Sequence, residues 1–237
     1  TSRFRSSGYD GFMQDYVFLK RDRLVPLCQG VNPNVAAFIE LISVSMHSLV
    51  RFEKKAHSRR QVFGVWGDGN LSFITSLILR KQYQNSQIYV FGKHEYKLDH
   101  FSFVDEVYQI NQIPEDLKVD HAFECVGGIG SQDAIDQIID TIHPEGSIAI
   151  LGVSEHPVEI NTRMVLEKGI TIIGSSRSGR DDFVNTVNFL AEHPDVAEYL
   201  ETLIGSVNPV KSIQDMLDVF ERDLTTSWGK TVIRWGI

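Results

Sequence analysis

The chain has 237 residues, 42% of them hydrophobic, and carries 23 Lys and Arg against 31 Asp and Glu, a net charge of -8. That length allows one large or two smaller domains around a substantial core. The acidic balance gives no support for broad binding to nucleic acid or an anionic membrane, while leaving room for a local basic pocket that takes a phosphorylated ligand.

The opening, "TSRFRSSGYDGF", has no Met and no clear element start, and reads as a fragment whose first part is missing. Residues 1–30 mix polar loop with the apolar runs "YVFLK" and "LVPL", which look like strands of a β-rich unit. A helix signal begins at Asn32, which can cap, followed by Pro33 at a first helical position. The run "VAAFIELISVSMHSLVRF" continues it, apolar on most of its surface. From Gln61 the pattern becomes strand, helix, strand, with "VFGVW", "QIYVF", "VDEVYQI", "DHAFEC", "SIAILG" and "ITIIG" as the candidate strands. They show little alternation, as expected where both faces are covered. Six such strands with crossovers predict an α/β fold built on a Rossmann, doubly wound parallel sheet. After about Leu203, "SIQDMLDVFERDL" reads as a helix and "KTVIRW" as a closing strand.

The two cysteines, Cys28 and Cys125, are far apart and no C-x-x-C occurs, so neither a disulfide framework nor a cysteine-rich zinc site is expected within the chain. No apolar run is long enough to span a bilayer and no signal peptide is visible, so a cytoplasmic protein is expected.

The turn after the first sheet strand is Gly67-Asp68-Gly69-Asn70-Leu71-Ser72, the shape of G-x-G-x-x-G with serine in third place. In a dinucleotide fold the first glycine makes the turn, the second admits the pyrophosphate, and the third lets helix pack on strand. Gly67 and Gly69 keep the first two roles, and Ser72 alters the third only slightly. Asn70 and Leu71 open the helix whose N–H groups face phosphate. The turn follows a strand and opens a helix at the first of six strands, which is the context the fingerprint requires.

An NAD enzyme places Asp or Glu about 20 residues beyond the turn to bond the ribose hydroxyls. Here the second strand ends Val90-Phe91-Gly92-Lys93-His94-Glu95-Tyr96-Lys97, with Gly92 where the acid is expected. Lys93, His94 and Lys97 suit a 2′-phosphate, which favours NADP(H) over NAD, although Glu95 weakens the positive field. Gly127, Gly128 and Gly152-Val153-Ser154 follow the fourth and fifth strands and should line the cofactor cleft, because ligands bind at the carboxyl ends of strands in open α/β sheets. Glu40 is the only acidic residue between Asn34 and Arg51, and such a carboxylate, if buried, needs a partner.

"ELISVSMHSLVRF", "WGDGNLSFIT", "HAFECVGG", "AILGVSE" and "GSSRSG" together resemble the medium-chain dehydrogenase/reductase superfamily, close to its zinc polyol dehydrogenases. "FRSSGYDGFMQDYV", "FGKHEYKLDHFSFVD", "EGSIAILGVSEHPVEINTR" and "TTSWGKTVIRW" are similar to the ribulose-5-phosphate reductases, also called ribitol-5-phosphate dehydrogenases, of teichoic acid and capsule synthesis. Ser72 departs from the usual glycine of that pattern.

The resemblance implies a catalytic GroES-like domain, with residues 1–32 and 205–237 as its β-rich remnants around an NADP-binding Rossmann domain at 33–204. It places most ligands of a catalytic zinc, a cysteine and a His-Glu pair, in a segment this chain lacks. By position, Glu40 matches an acidic residue facing that zinc, Arg177 an arginine beside zinc and substrate, and Lys230 a basic residue near the cofactor pyrophosphate. An Arg177–Glu40 pairing would solve the burial of Glu40. The implied reaction is NADPH-dependent reduction of D-ribulose 5-phosphate to D-ribitol 5-phosphate, with zinc polarising the carbonyl. The product would feed a ribitol-5-phosphate cytidylyltransferase, the expected pathway partner, and a homo-oligomer is expected. Two alternatives stay open: a zinc dehydrogenase acting on another polyol or alcohol, and a non-catalytic NADP-binding fragment.

Overall fold

The computed structural model describes residues 4–5, 8–27 and 30–236, with backbone alone at 4 and 5; Cys28 lies outside the described residues. β1 (Phe4–Arg5) and β2 (Gly8–Tyr9) form a short pair, and Arg21–Arg23 makes one 3-10 turn. The two apolar runs expected as strands are not strands: Tyr16–Lys20 and Leu24–Leu27 are coil. Tyr16 is 80% and Phe18 87% exposed, and strand preference reflects side chains packed on a half-buried surface.

Asn32 caps as expected, its side chain accepting the Asn34 N–H, but the helix it starts, α1 (Pro33–Ala36), is short. The chain tightens at Ala37 and Phe38, where the Phe38 N–H reaches back three residues to the Val35 carbonyl at 3.0 Å. α2 (Ile39–Glu53) then runs on with Ile42, Met46, Leu49 and Phe52 buried in one stripe. One long helix in the sequence pattern is therefore two in the structure.

The central sheet holds β3 (Val62–Trp66), β4 (Gln87–Gly92), β5 (Glu106–Gln109), β6 (Val119–Glu124), β7 (Ile142–Ile150) and β8 (Thr171–Gly174). All its pairings are parallel and its order is β5-β4-β3-β6-β7-β8. Counting from β3 as the first, this is the 3-2-1-4-5-6 order of the doubly wound dinucleotide fold, with its switch point between β3 and β6. The crossovers carry α3 (Asn70–Gln82), α4 (Glu95–Leu98), α5 (Ser131–Thr141) and α6 (Thr162–Lys168). Alternate residues serve two cores. Phe63 and Val65 join Phe52, Phe73 and Leu77 on one face. Trp66 and Phe91 join Ile135, Ile138 and Ile148 on the other.

Beyond the sheet come α7 (Arg180–Glu192), α8 (Val196–Glu201), β9 (Ile204–Val210), α9 (Ile213–Asp223) and β10 (Lys230–Trp235). β9 pairs in parallel with β10 as a separate two-stranded sheet. The segment "IGSVNPV" of β9 carries glycine and proline without alternation, so its pattern does not announce a strand. Among the described residues no helix is long and apolar enough to cross a membrane.

Candidate active site

Gly67 ends β3 at φ 129°, and a Cβ there would stand 3.1 Å from the Cys125 backbone, so only glycine fits. Its N–H donates to the Phe91 carbonyl at 2.8 Å, tying the turn to β4. Gly69 caps α3 and leaves open space, with no protein atom within 4 Å of an added Cβ. α3 therefore presents its free N–H groups beside an unobstructed backbone, the arrangement that takes a phosphate. Ser72 is fully buried against Gly67, so the substituted position still packs close. Leu71 is half-buried against the core. Asn70 Nδ2 donates to the Gly229 carbonyl at 3.2 Å. That bond brings the residue before Lys230, whose side chain is exposed, to the phosphate end of α3.

Beside this turn lies a cleft of about 280 Å³ bordered by Trp66, Gly67, Asp68, Gly92, Lys93 and Gln137. Here the structure adds a residue the sequence reading passed over. Asp68 Oδ2 accepts from the Lys93 N–H at 2.9 Å, the His94 N–H at 2.8 Å and His94 Nδ1 at 2.9 Å. Burial pushes this carboxyl up, but the His94 bonds, the Lys93 amide and the charge of Lys97 outweigh it and hold the group below its ordinary value. An added Cβ at Gly92 would meet Asp68 Cβ and Leu98 at 2.7 Å. Gly92, where an acid is expected in an NAD enzyme, thus has no room for a side chain beside Asp68 and Leu98. The visible signal was a charged residue between the two glycines. Lys93 is exposed, Lys97 is half-buried with Nζ 5.9 Å from the Tyr96 ring, and with His94 they surround Asp68.

Across the switch point the loops after β6 and β7 interlock. The Gly128 N–H donates to the Val153 carbonyl at 2.8 Å and Ser154 Oγ to the Gly128 carbonyl at 3.0 Å. An added Cβ at Gly127 would stand 2.9 Å from Val153 backbone. Gly127, Gly128, Gly152, Val153 and Ser154 thus form one ledge at the carboxyl ends of the strands.

Glu40 is on the exposed side of α2, outside the buried stripe, so it is not a buried carboxylate in need of a partner. Glu40 and Arg177 belong to different elements, α2 and the loop before α7. The two are nonetheless brought to one neighbourhood. Ser43 Oγ donates to the Glu40 carbonyl at 2.6 Å and lies 2.7 Å from Ser178 Oγ, next to Arg177. Arg177 is exposed, at φ 67°, in the loop between β8 and α7. Among the described residues no group of three or more His, Cys, Asp and Glu could hold a metal ion. Glu40 by itself does not make a zinc site, which needs three or four ligands.

The sheet order, the glycine turn and the bipartite cleft define a nicotinamide-dinucleotide dehydrogenase. Residues 91–192 match the zinc-binding dehydrogenase family. The chain is 65% identical to a ribulose-5-phosphate reductase of Bacillus spizizenii over all of its own length and 70% of that protein's. It is 58% identical to ribulose-5-phosphate reductase 1 of Staphylococcus aureus over 99% of this chain and 69% of that one. A solved structure of S. aureus TarJ in complex with NADPH superposes with a TM-score of 0.93 at 57% identity, covering 96% of this chain and 72% of the other. The chain belongs to the ribulose-5-phosphate reductases, a family of NADP-dependent medium-chain oxidoreductases.

Proposed function

We propose that the enzyme reduces D-ribulose 5-phosphate to D-ribitol 5-phosphate with NADPH, for the synthesis of ribitol-containing teichoic acid or capsule. The observation that carries the reading is the 65% identity with a ribulose-5-phosphate reductase over the whole chain, which takes in both halves of the cleft. When bound, NADPH would supply the hydride for the substrate carbonyl carbon, whose oxygen would take the C=O π pair and a proton. The glycine turn and the α3 N-terminus hold the pyrophosphate, with Lys230 beside them. Lys93, His94 and Lys97 meet the 2′-phosphate, and the ledge of Gly127, Gly152, Val153 and Ser154 carries the nicotinamide. Arg177 and Glu40 face the reacting end. Zinc stays in this proposal as the family's metal, with Glu40 beside it and its other ligands outside the described residues.

Residues 33–204 are proposed as the cofactor-binding unit, with 1–32 and 205–237 assigned to the catalytic unit. The product suits a cytidylyltransferase that makes CDP-ribitol, and a cytoplasmic homo-oligomer fits the family. Steady-state kinetics with ribulose 5-phosphate, ribulose and sorbitol test the reading. The phosphorylated ketose should lead in kcat/KM by at least about a hundredfold, roughly what two charge-assisted contacts are worth. Equal rates with and without the phosphate favour the alternative of a general polyol dehydrogenase.

A further inference from the structure

Glu124, the last residue of β6, is fully buried, yet no cationic side chain pairs with it among the described residues. Its carboxylate is satisfied by backbone alone. Oε1 accepts from the Val126 and Gly127 N–H groups, both at 2.9 Å. Oε2 accepts from the Gly152 N–H at 3.1 Å, a donor it shares with the Glu124 main-chain carbonyl, also at 3.1 Å. One side chain thus clasps the loop after β6 and the loop after β7. The fit leaves no slack, since an added Cβ at Gly152 would stand 2.6 Å from both carboxyl oxygens.

A buried ionised carboxylate is costly unless several donors face it, and an apolar side chain would fill the same space without that cost. What the carboxylate does that an apolar residue cannot is fix three amides from two separate loops at once. Those loops border the half of the crevice formed by β6, β7 and β8, the second mononucleotide half of a doubly wound sheet. They turn the side chains of Val126 and Val153, 43% and 79% exposed, outward as an apolar surface for a planar ring.

We propose that Glu124 is a positioning residue for the nicotinamide: it holds the Val126–Gly128 and Gly152–Ser154 loops as one preformed ledge and touches neither cofactor nor substrate. The assignment rests on the NADPH reading above. Glu124→Gln keeps the shape but removes the charge and turns an NH2 toward one loop, so at least one of the three backbone donors loses its side-chain acceptor.

The test compares two ligands on the enzyme. NADPH reaches both halves of the cleft, whereas 2′,5′-ADP carries only the adenosine half. Glu124→Gln should weaken NADPH about tenfold, the scale of one lost charge-assisted bond, and leave 2′,5′-ADP within about twofold. Equal weakening of both ligands makes Glu124 a general brace and overturns the assignment, as does unchanged NADPH affinity. A wild type that binds neither ligand fails the cofactor reading itself, and the assignment with it. Should the variant not fold, amide hydrogen exchange on the wild type decides. Without cofactor, the Val126, Gly127 and Gly152 amides should exchange slowly despite their place at the cleft, and fast exchange there sinks the preformed ledge.

Discussion

The two halves of the cleft handle a carboxylate in opposite ways. At the β3–β4 side Asp68 sits at a solvent edge among Lys93, His94 and Lys97, and its donors come partly from a side chain that can turn. At the β6–β7 side Glu124 is sealed in the interior and its donors are all backbone. The first arrangement gathers mobile charge where a charged ligand group would arrive. The second fixes shape where a neutral ring would lie. If the first half takes the adenosine 2′-phosphate as proposed, it should answer to charge substitutions with modest, ligand-specific losses. If the second half carries the nicotinamide as proposed, it should answer with losses in turnover.

The sharpest contrast is within β6 itself. His121 is three residues before Glu124 and also fully buried, but Nε2 has no hydrogen-bond partner, and the His57 ring lies 4.3 Å away. Burial and then the nearby His57 push its pKa from 6.5 down to about 4, against an opposing pull from Asp120. The folded state thus favours neutral imidazole. Below pH 6.5 the unfolded chain takes up a proton that the folded chain refuses, and stability falls until about pH 4, by about 3 kcal/mol in all. Denaturant unfolding across pH 7 to 4 should show this slope. His121→Phe should flatten it, although the Ser147 N–H then loses its acceptor and stability drops at every pH. An unchanged slope in the variant refutes the assignment.

Arg177→Ala should come next in size. On the proposed assignment it removes a cation from the reacting end, and losing one such electrostatic contact costs about a hundredfold in kcat. NADPH affinity should change by less than about threefold, because both adenosine-half contacts and the ledge remain. Full activity in this variant breaks the assignment of the reacting end.

Lys93→Ala with Lys97→Ala should raise the KM for NADPH about tenfold and leave NADH within about twofold, as expected for solvent-screened charges near a phosphate. Equal losses for both cofactors remove the 2′-phosphate assignment.

The adenosine half was legible because its devices are local. A strand, two glycines and a helix start sit within one short stretch, and the cations follow the next strand. The inner sheet strands were legible because covered strands such as β3, buried from Phe63 to Trp66, are largely apolar, and the glycines after β6 and β7 marked their turns. What stayed hidden depends on contacts distant in sequence. Asp68 gains its meaning only when β4 brings Lys93 and His94 beside it. Glu124 reads as an ordinary residue at a strand end until two loops close over it. The apolar runs before residue 28 mislead, since periodicity tells nothing of whether a partner strand is there. Glu40 misled in the other direction: an apolar sequence around it suggested burial, while its angular position on α2 turns it to solvent.

The smallest expected effect concerns how the Arg177 loop is held. Three side chains spaced one turn apart on α2 fasten the stretch from Gly174 to Asp182. Ser43 Oγ meets Ser178 Oγ at 2.7 Å, His47 Nδ1 meets Asp182 Oδ2 at 3.0 Å, and Arg51 Nε donates to the Gly174 carbonyl at 3.0 Å. Asp182 also accepts the Gly179 N–H at 2.7 Å, which fixes the start of α7. The loop between needs such fastening, because Arg177 is a non-glycine residue at φ 67°, a conformation that persists only where surroundings impose it. Ser43→Ala removes the fastening nearest Arg177 and leaves the other two. A single hydrogen bond is worth about 1 kcal/mol net, so kcat should fall about fivefold, with the KM for NADPH unchanged. In the Arg177→Ala background the same substitution should have almost no further effect on kcat, since there is no longer a guanidinium to position. If the two losses multiply instead, Ser43 supports the fold and not the arginine, and the contrast between a charge-selecting half and an aligning half loses its support at this end of the cleft.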